Sequence, residues 1–562
     1  MADASGPNDP LWKPIDQARP IKVICIGAGM SGILTGIRFP QKIANLELTI
    51  YEKNEARRYN VLDYVKLRHQ IKGAHWDKEK GKWVVQVTDL TTSKTFDDEA
   101  DFLVSAVGML NRWTLPDIPH LEDFQGEVLH SANWKGWVKK FDPKGMRVAL
   151  IGGGSTGIQI LPQIQPAATQ VVHFMKGNQW ISPVGVGGAE AQKRGVTGNF
   201  AYSAAELRAF QENPQLYHKH RHEVEGNMNE AQLVTFMGTA EQKTFWELTD
   251  ASMKKKLATK PEIYKSLTPK WPPGCRRLTP GPGYLEALVQ DNVTFVGCGI
   301  EKVLPRAIQD KDGNVHDVDA IICATGFDTT LKHTIPLVGL SGKSLGEIWD
   351  PIPEAYLSMC PPSMPNFFLY QGPNGGPGAG SAVPFLEYEA EYMIKCIQKV
   401  QMQHIKSMVV SDAANKAFSR HIDQYFKHTV FSQTCRSWFK RGQEQGRVTA
   451  LWPGSAVHAQ IAFSNPKFED FDYEYMREGQ GFSWLGNGLT LAQSQGGFTT
   501  SYLDTVNIPP PIVEGVSLGQ FSDPYEDSGT VGNGLPNGSQ VSPEINGIVH
   551  RKLADMVSTM PI

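Results

Sequence analysis

IKVICIGAGMSGILTGIRF, residues 21–39, decides the fold. Apart from Lys22, Ile21 to Ile26 form an apolar run of the kind buried on both faces in a parallel sheet. Gly27, Gly29 and Gly32 follow at once, and the apolar spacing after them is that of a helix. LELTIYE, residues 46–52, then returns as a strand, which completes a βαβ unit. The same order recurs at RVALIGGGSTGIQILPQI, residues 147–164, with QVVHFMK, residues 170–176, as its second strand. The expected fold class is therefore α/β, with two dinucleotide-binding (Rossmann-like) domains in one chain.

Each glycine has its own task in such a turn. The first permits the tight bend, the second lets the backbone approach a pyrophosphate, and the third lets the helix pack closely on its strand. The helix N-terminus then presents free amides to the phosphates. The residue ending the second strand selects the nucleotide. Glu52, 20 residues after Gly32, suits an unphosphorylated ribose, as in FAD or NAD, and repels a 2'-phosphate. In the second unit Gly152, Gly154 and Gly157 are followed, 19 residues on, by Lys176, a cation able to pair with the 2'-phosphate of NADP. A flavin site and a nicotinamide site in one chain point to FAD reduced by NADPH.

The remaining sequence supports this division. The 562 residues amount to between three and four domains of ~150 residues. Residues 1–19 read as a flexible N-terminus, 20–142 as the first part of the FAD-binding domain, and 143–328 as the NADP-binding domain. The charged, amphipathic stretch at about 187–272 is expected to be a helical insertion in that second domain. Residues 329–510 are expected to return to the FAD-binding domain, and 511–562, rich in Gly, Ser, Pro and Asn, to form a mostly disordered tail. Val61 to Leu67 read as a short helix, followed by strand-like pieces near 71–76, 82–88 and 101–107.

Composition narrows the function classes. Hydrophobic residues make up 41% and charged residues 20%, with a net charge of -3, which argues against nucleic acid as the main ligand. No run of about 18 apolar residues offers a membrane span. Seven widely spread cysteines without a CxxC pair suggest a reducing compartment, and with no signal-like N-terminus the expected location is cytoplasmic. His218 and His222 are four apart on an expected helix, a spacing that can bind metal, but Lys219 and Arg221 between them read as a solvated basic face, and no metal is expected.

Between the glycine turns lies FQGEVLHSANW, in which Phe124, Gly126, His130 and Trp134 match the fingerprint FxGxxxHxxxW. On this basis the chain resembles the class B flavin monooxygenases, especially Baeyer-Villiger monooxygenases. GCRRLTPGPGYLEAL (274–288), ATGFD (324–328), FFLYQGPNGGPGAGS (367–381) and CRSWF (435–439) are similar to the fungal secondary-metabolite branch. The resemblance implies that the fingerprint links cofactor binding to domain movement. It also implies that Arg277 matches the arginine that stabilises the flavin peroxide and contacts the nicotinamide. By the same resemblance, Arg276 sits where a cation assists with the 2'-phosphate, and Trp438 matches a tryptophan touching NADP. A fixed guanidinium is suited physically to a developing anion. The implied reaction consumes NADPH and molecular oxygen and inserts one oxygen atom into a small-molecule ketone, giving an ester or lactone. Oxygenation of nitrogen or sulfur is the alternative within the family.

The sequence departs from the family at one place. A long FAD-embracing segment normally follows the ribose-binding acid, whereas here five residues, Lys53 to Arg57, separate Glu52 from the point where the match resumes. No glycine occurs from Asn54 to Lys72 to approach an isoalloxazine ring. A gene-model error, a variant site or a catalytically impaired relative would each account for it, and Asp63 is not assigned the missing aspartate's role.

Overall fold

The computed structural model describes residue 9 and residues 11–53, 61–136, 141–183, 188–196, 200–331, 335–479, 481–500 and 503. Two parallel five-stranded sheets organise residues up to 497. In the first sheet the strand order is Phe367–Leu369, Phe102–Ser105, Ile21–Ile26, Leu46–Glu52, Val65–Leu67. In the second it is Val293–Val296, Gln170–Phe174, Arg147–Ile151, Ala320–Cys323, Glu127–His130.

The largely apolar strands serve two cores at once, because alternate side chains leave opposite faces of a strand. Val23 and Cys25 pack with the helix Met30–Lys42 and the long helix Ala382–Met402. Ile24 and Ile26 face the antiparallel meander His69–Asp77, Lys82–Asp89, Thr95–Ala100, with Trp76 and Trp83 in that core. The second sheet repeats the plan. Val148 and Leu150 meet the helix Ser155–Ile164, while Ala149 and Ile151 meet the small antiparallel sheet Ile300–Leu304, Ala307–Asp310, Val315–Asp317. Between Ile181–Ser182 and Thr279–Pro280, which pair in parallel, the α-helices are Gly188–Lys193, Ala204–Glu212, Pro214–Asn229, Ala240–Lys256 and Pro261–Leu267.

Several expectations need correction. Glu127–His130 pairs with Ala320–Cys323, so it belongs to the second sheet, and a boundary at 142/143 falls too late. A short edge strand carries no periodic signal of its own, and its partner is almost two hundred residues away. Val61–Leu67 is a turn followed by the strand Val65–Leu67, which pairs with Ile50–Glu52; pairing overrides a helical pattern only seven residues long. Residues 11–19 are tied down rather than flexible. The Ile15 amide donates to the Leu489 carbonyl at 2.9 Å, the Asn487 amide to Lys13 O at 3.1 Å, and Asp9 pairs with Arg477. The expected reducing compartment gave no reason for a crosslink, yet Cys275 and Cys435 form a disulfide.

The expected disordered tail at 511–562 and the junction at 54–60 lie outside the described residues. Among residues 498–562, taken by themselves, 498–500 and 503 are described, and the Leu503 amide donates to Thr500 O at 3.0 Å.

Candidate functional site

The first glycine turn is built as its chemistry requires. Gly27 has φ +99°, and a Cβ there would stand 2.9 Å from the Ala106 carbonyl oxygen. At Gly32 a Cβ would lie 2.0 Å from the Gly27 carbonyl oxygen, so only glycine lets the helix sit this close. Gly29 differs, since a Cβ there meets nothing within 4 Å. Its glycine is not needed for packing and leaves room on the ligand side, the role expected of the middle glycine. The Ala28 amide donates to Glu52 Oε2 at 2.9 Å, which holds the carboxylate beside the turn.

These residues open onto a cavity of about 490 Å³. Gly27, Gly29, Glu52, Arg112, Gln371 and Gly372 are among its lining residues, so FFLYQGPNGG comes from far along the chain to complete it. Gln371 is held in the left-handed region at φ 47° while its amide donates to both oxygens of the buried Glu389, at 3.1 and 3.2 Å. Burial pushes the Glu389 carboxyl well above its ordinary range, opposed by that amide. The bend, the open middle glycine, the helix N-terminus and the strand-end carboxylate fit the adenosine and pyrophosphate half of FAD.

The second turn repeats the geometry. Gly152 has φ +119°, a Cβ on Gly157 would lie 2.0 Å from the Gly152 carbonyl oxygen, and Gly154 again faces open space. Ser155 Oγ, at the start of the following helix, is 2.6 Å from Thr279 Oγ1, which brings the segment carrying Arg276 and Arg277 up to this turn. Beyond the second strand Lys176 is exposed, and Arg276 Nη1 donates to the Asn178 carbonyl at 2.9 Å. Burial lowers the Arg276 pKa, and the nearby Arg436 lowers it further. Arg277 is exposed, with its carbonyl accepting from Gln179 Nε2 at 3.2 Å. Cations at this strand end are suited to a phosphate group. Trp438 is partly buried against Phe439, with ring centroids 4.8 Å apart, three residues after the crosslinked Cys435.

The fingerprint residues lie around the edge strand of the second sheet. Phe124 is buried, and a Cβ at Gly126 would meet the Asp319 carbonyl oxygen at 2.3 Å, so both residues have packing roles. His130 is 2% exposed, accepts from the Ala132 amide at 3.1 Å and stacks on Trp113 at 4.5 Å. Burial lowers the His130 pKa, with the Gly326 backbone opposing. Trp134 packs against the second sheet's helical core. Sequence reading missed Trp113 and Arg112, which lie in the first crossing between the sheets, and Arg436. The rings of His218 and His222 do approach, at 4.4 Å, but among the described residues no three metal-ligating side chains group together.

The fold and site thus define a protein with two nucleotide turns on two parallel sheets. A family model described as "FMO-like: Flavin-binding monooxygenase-like" matches residues 22–186. The FAD-binding monooxygenase stcW of Emericella nidulans is 30% identical over 591 aligned positions, covering 94% of this chain and 96% of the relative. The FAD-binding monooxygenase tazF of Aspergillus terreus is 28% identical, with 86% and 94% covered. A solved structure of OTEMO in complex with FAD and NADP has a TM-score of 0.67 at 20% identity, covering 82% of this chain and 100% of that one. Cyclohexanone monooxygenase from Rhodococcus sp. Phi1 bound to NADP+ has a TM-score of 0.64 at 19% identity, with 82% and 100% covered. The chain belongs to the class B flavin-binding monooxygenase family.

Since 94% of 562 residues is about 528, about 63 of the 591 positions aligned with stcW have no counterpart in this chain. Among the described residues, no helix is long and apolar enough to cross a membrane.

Proposed function

We propose that this chain is an FAD- and NADPH-dependent monooxygenase of Baeyer-Villiger type, inserting one oxygen atom into a ketone to give an ester or lactone in secondary-metabolite biosynthesis. The observation that carries the reading is the contrast between two similar glycine turns. Glu52 stands at the strand end of the first, and Lys176 with Arg276 at that of the second. The relatives, named FAD-binding monooxygenases, and the FAD and NADP complexes among the structural neighbours support the same pairing.

When bound, FAD would supply the redox and oxygen chemistry. The Gly27–Gly32 turn would bind its pyrophosphate and Glu52 would accept from its ribose. Gly152, Gly154 and Gly157 would hold the NADPH pyrophosphate, and Arg277 would place a permanent cation at the reacting centre. The helical stretch around 187–272 is read as an insertion in the NADP-binding unit.

The short span after Glu52, where only Lys53 to Arg57 precede Arg58, favours a second reading, in which this chain holds flavin poorly because part of the FAD site is absent there. Expression of this chain beside a version with the segment restored from genomic DNA separates the two. Yellow protein that consumes NADPH in preference to NADH and converts a cyclic ketone to its lactone supports the first reading. Thioether oxidation without lactone supports sulfur or nitrogen oxygenation instead, and two colourless, inactive proteins overturn the enzyme reading.

A further inference from the structure

Cys275 and Cys435 are 160 residues apart in sequence, yet their Cα atoms are 6.4 Å apart across the disulfide, and both side chains are buried. The next residue on each side is an arginine. Arg276 continues toward the end of the second strand, where it donates to Asn178 O at 2.9 Å beside the exposed Lys176. Arg436 is exposed, and its Nε donates to the Gly442 carbonyl at 3.0 Å.

The loop that presents Arg436 is fixed from below. Lys440 is 1% exposed, and its ammonium donates to Gln433 O at 2.5 Å and Glu444 O at 2.7 Å, closing the loop on both sides of the crosslink. Lys440 is thus committed to the loop interior, while the Nη groups of Arg436 remain available. Among the described residues neither Arg276, Arg436 nor Lys176 has a carboxylate partner. The crosslink brings the two arginine-bearing segments together, and Arg436 is near enough for its charge to lower the Arg276 pKa, a repulsion that an anion shared by the two would relieve.

Resting on the proposed NADPH reading, we infer that Arg436 is a specificity-determining residue for the 2'-phosphate, paired with Arg276 across the Cys275–Cys435 crosslink. A phosphate monoester carries close to two charges and three acceptor oxygens, which matches two guanidinium forks and one ammonium. The covalent link offsets the repulsion before the nucleotide arrives, so less ordering is left for the binding step.

The test needs no flavin. Adenosine 2',5'-bisphosphate, 5'-AMP and inorganic phosphate are titrated calorimetrically into the full-length, non-reduced protein and into Arg436→Gln and Arg276→Gln. The wild type is expected to prefer the bisphosphate over 5'-AMP by about 100-fold, and Arg436→Gln to lose about tenfold of that preference while binding 5'-AMP unchanged. Inorganic phosphate binding as tightly as the bisphosphate overturns the assignment to a nucleotide. Full preference in Arg436→Gln with loss in Arg276→Gln overturns the role of Arg436 and leaves the NADPH reading intact. Equal wild-type affinity for bisphosphate and 5'-AMP overturns both. A Cys275→Ser/Cys435→Ser double variant tests the crosslink: loss of the preference supports its role, and full retention in a folded protein overturns it. If the double variant does not fold, wild-type protein treated with a dithiol reductant is read in the same way.

Discussion

Arg112 and Asp328, 216 residues apart in sequence, form an ion pair, and the Asp328 amide donates to the Arg112 carbonyl at 2.8 Å. One lies in the outgoing crossing between the two sheets and the other in the returning crossing, so the pair ties the two passages together beside the cavity that both residues line. Burial raises the Asp328 pKa, but the hydrogen bonds from Thr330 and the Arg112 guanidinium outweigh it and leave the carboxyl below its ordinary value.

For Arg112→Gln we expect little loss of stability, below about 1 kcal/mol, because both side chains are about one-third exposed to water. Flavin retention should nevertheless fall several-fold and limited proteolysis within 106–120 should accelerate, as the crossings lose their tie. The ratio of flavin to protein absorbance after gel filtration, read beside a digestion time course, checks both. A large fall in melting temperature with normal flavin content would assign the pair a purely structural role.

The glycines of one motif should fail in different ways. Gly29→Ala and Gly154→Ala add a Cβ into open space, so the melting temperature should hold while FAD binding falls in the first and NADP+ binding in the second. Gly32→Ala and Gly157→Ala drive a Cβ to 2.0 Å from a backbone oxygen and should cost about 3 kcal/mol of stability. Thermal unfolding and ligand titration on the four variants distinguish these patterns.

Arg277→Ala removes an exposed guanidinium whose backbone carbonyl, not its side chain, is held by Gln179. Stability should change by less than about 0.5 kcal/mol. Ketone oxygenation should be lost while NADPH oxidation continues, which product analysis beside absorbance at 340 nm would reveal. Normal lactone yield would remove Arg277 from the reacting centre.

His173, fully buried in the second strand, sets a pH dependence of stability. Its Nδ1 lies 3.1 Å from Leu150 O and its Nε2 2.9 Å from Tyr284 Oη, so the neutral ring donates to the carbonyl and accepts from the phenol. Burial brings the imidazole down to about 4, with the Leu150 carbonyl partly opposing. Below about 6.5 the unfolded chain takes up a proton that the folded protein refuses until about 4. Stability should therefore fall as pH drops across that window, by about 3 kcal/mol from this one group. His173→Gln should flatten the fall, and urea titrations of both proteins between pH 4 and 7 measure the difference.

By itself the sequence determined the two βαβ units and the nucleotide turn of each. A positive φ at Gly27 and Gly152, and a backbone oxygen five residues back at Gly32 and Gly157, leave only glycine at those four positions, and a strand buried on both faces is largely apolar. Glu52, whose carboxylate accepts from the Ala28 amide, stands in a fixed relation to its turn and was legible for the same reason. Only tertiary structure decided what joins distant segments: Glu127–His130 entering the second sheet, Trp113 stacking on His130, Arg112 pairing with Asp328, and Cys275 bonding to Cys435. Such partners are separated by tens to hundreds of residues, and their pairing depends on where two sheets and their crossings settle in space. No local spacing encodes that placement, although each partner lies within or near a segment whose own motif was visible.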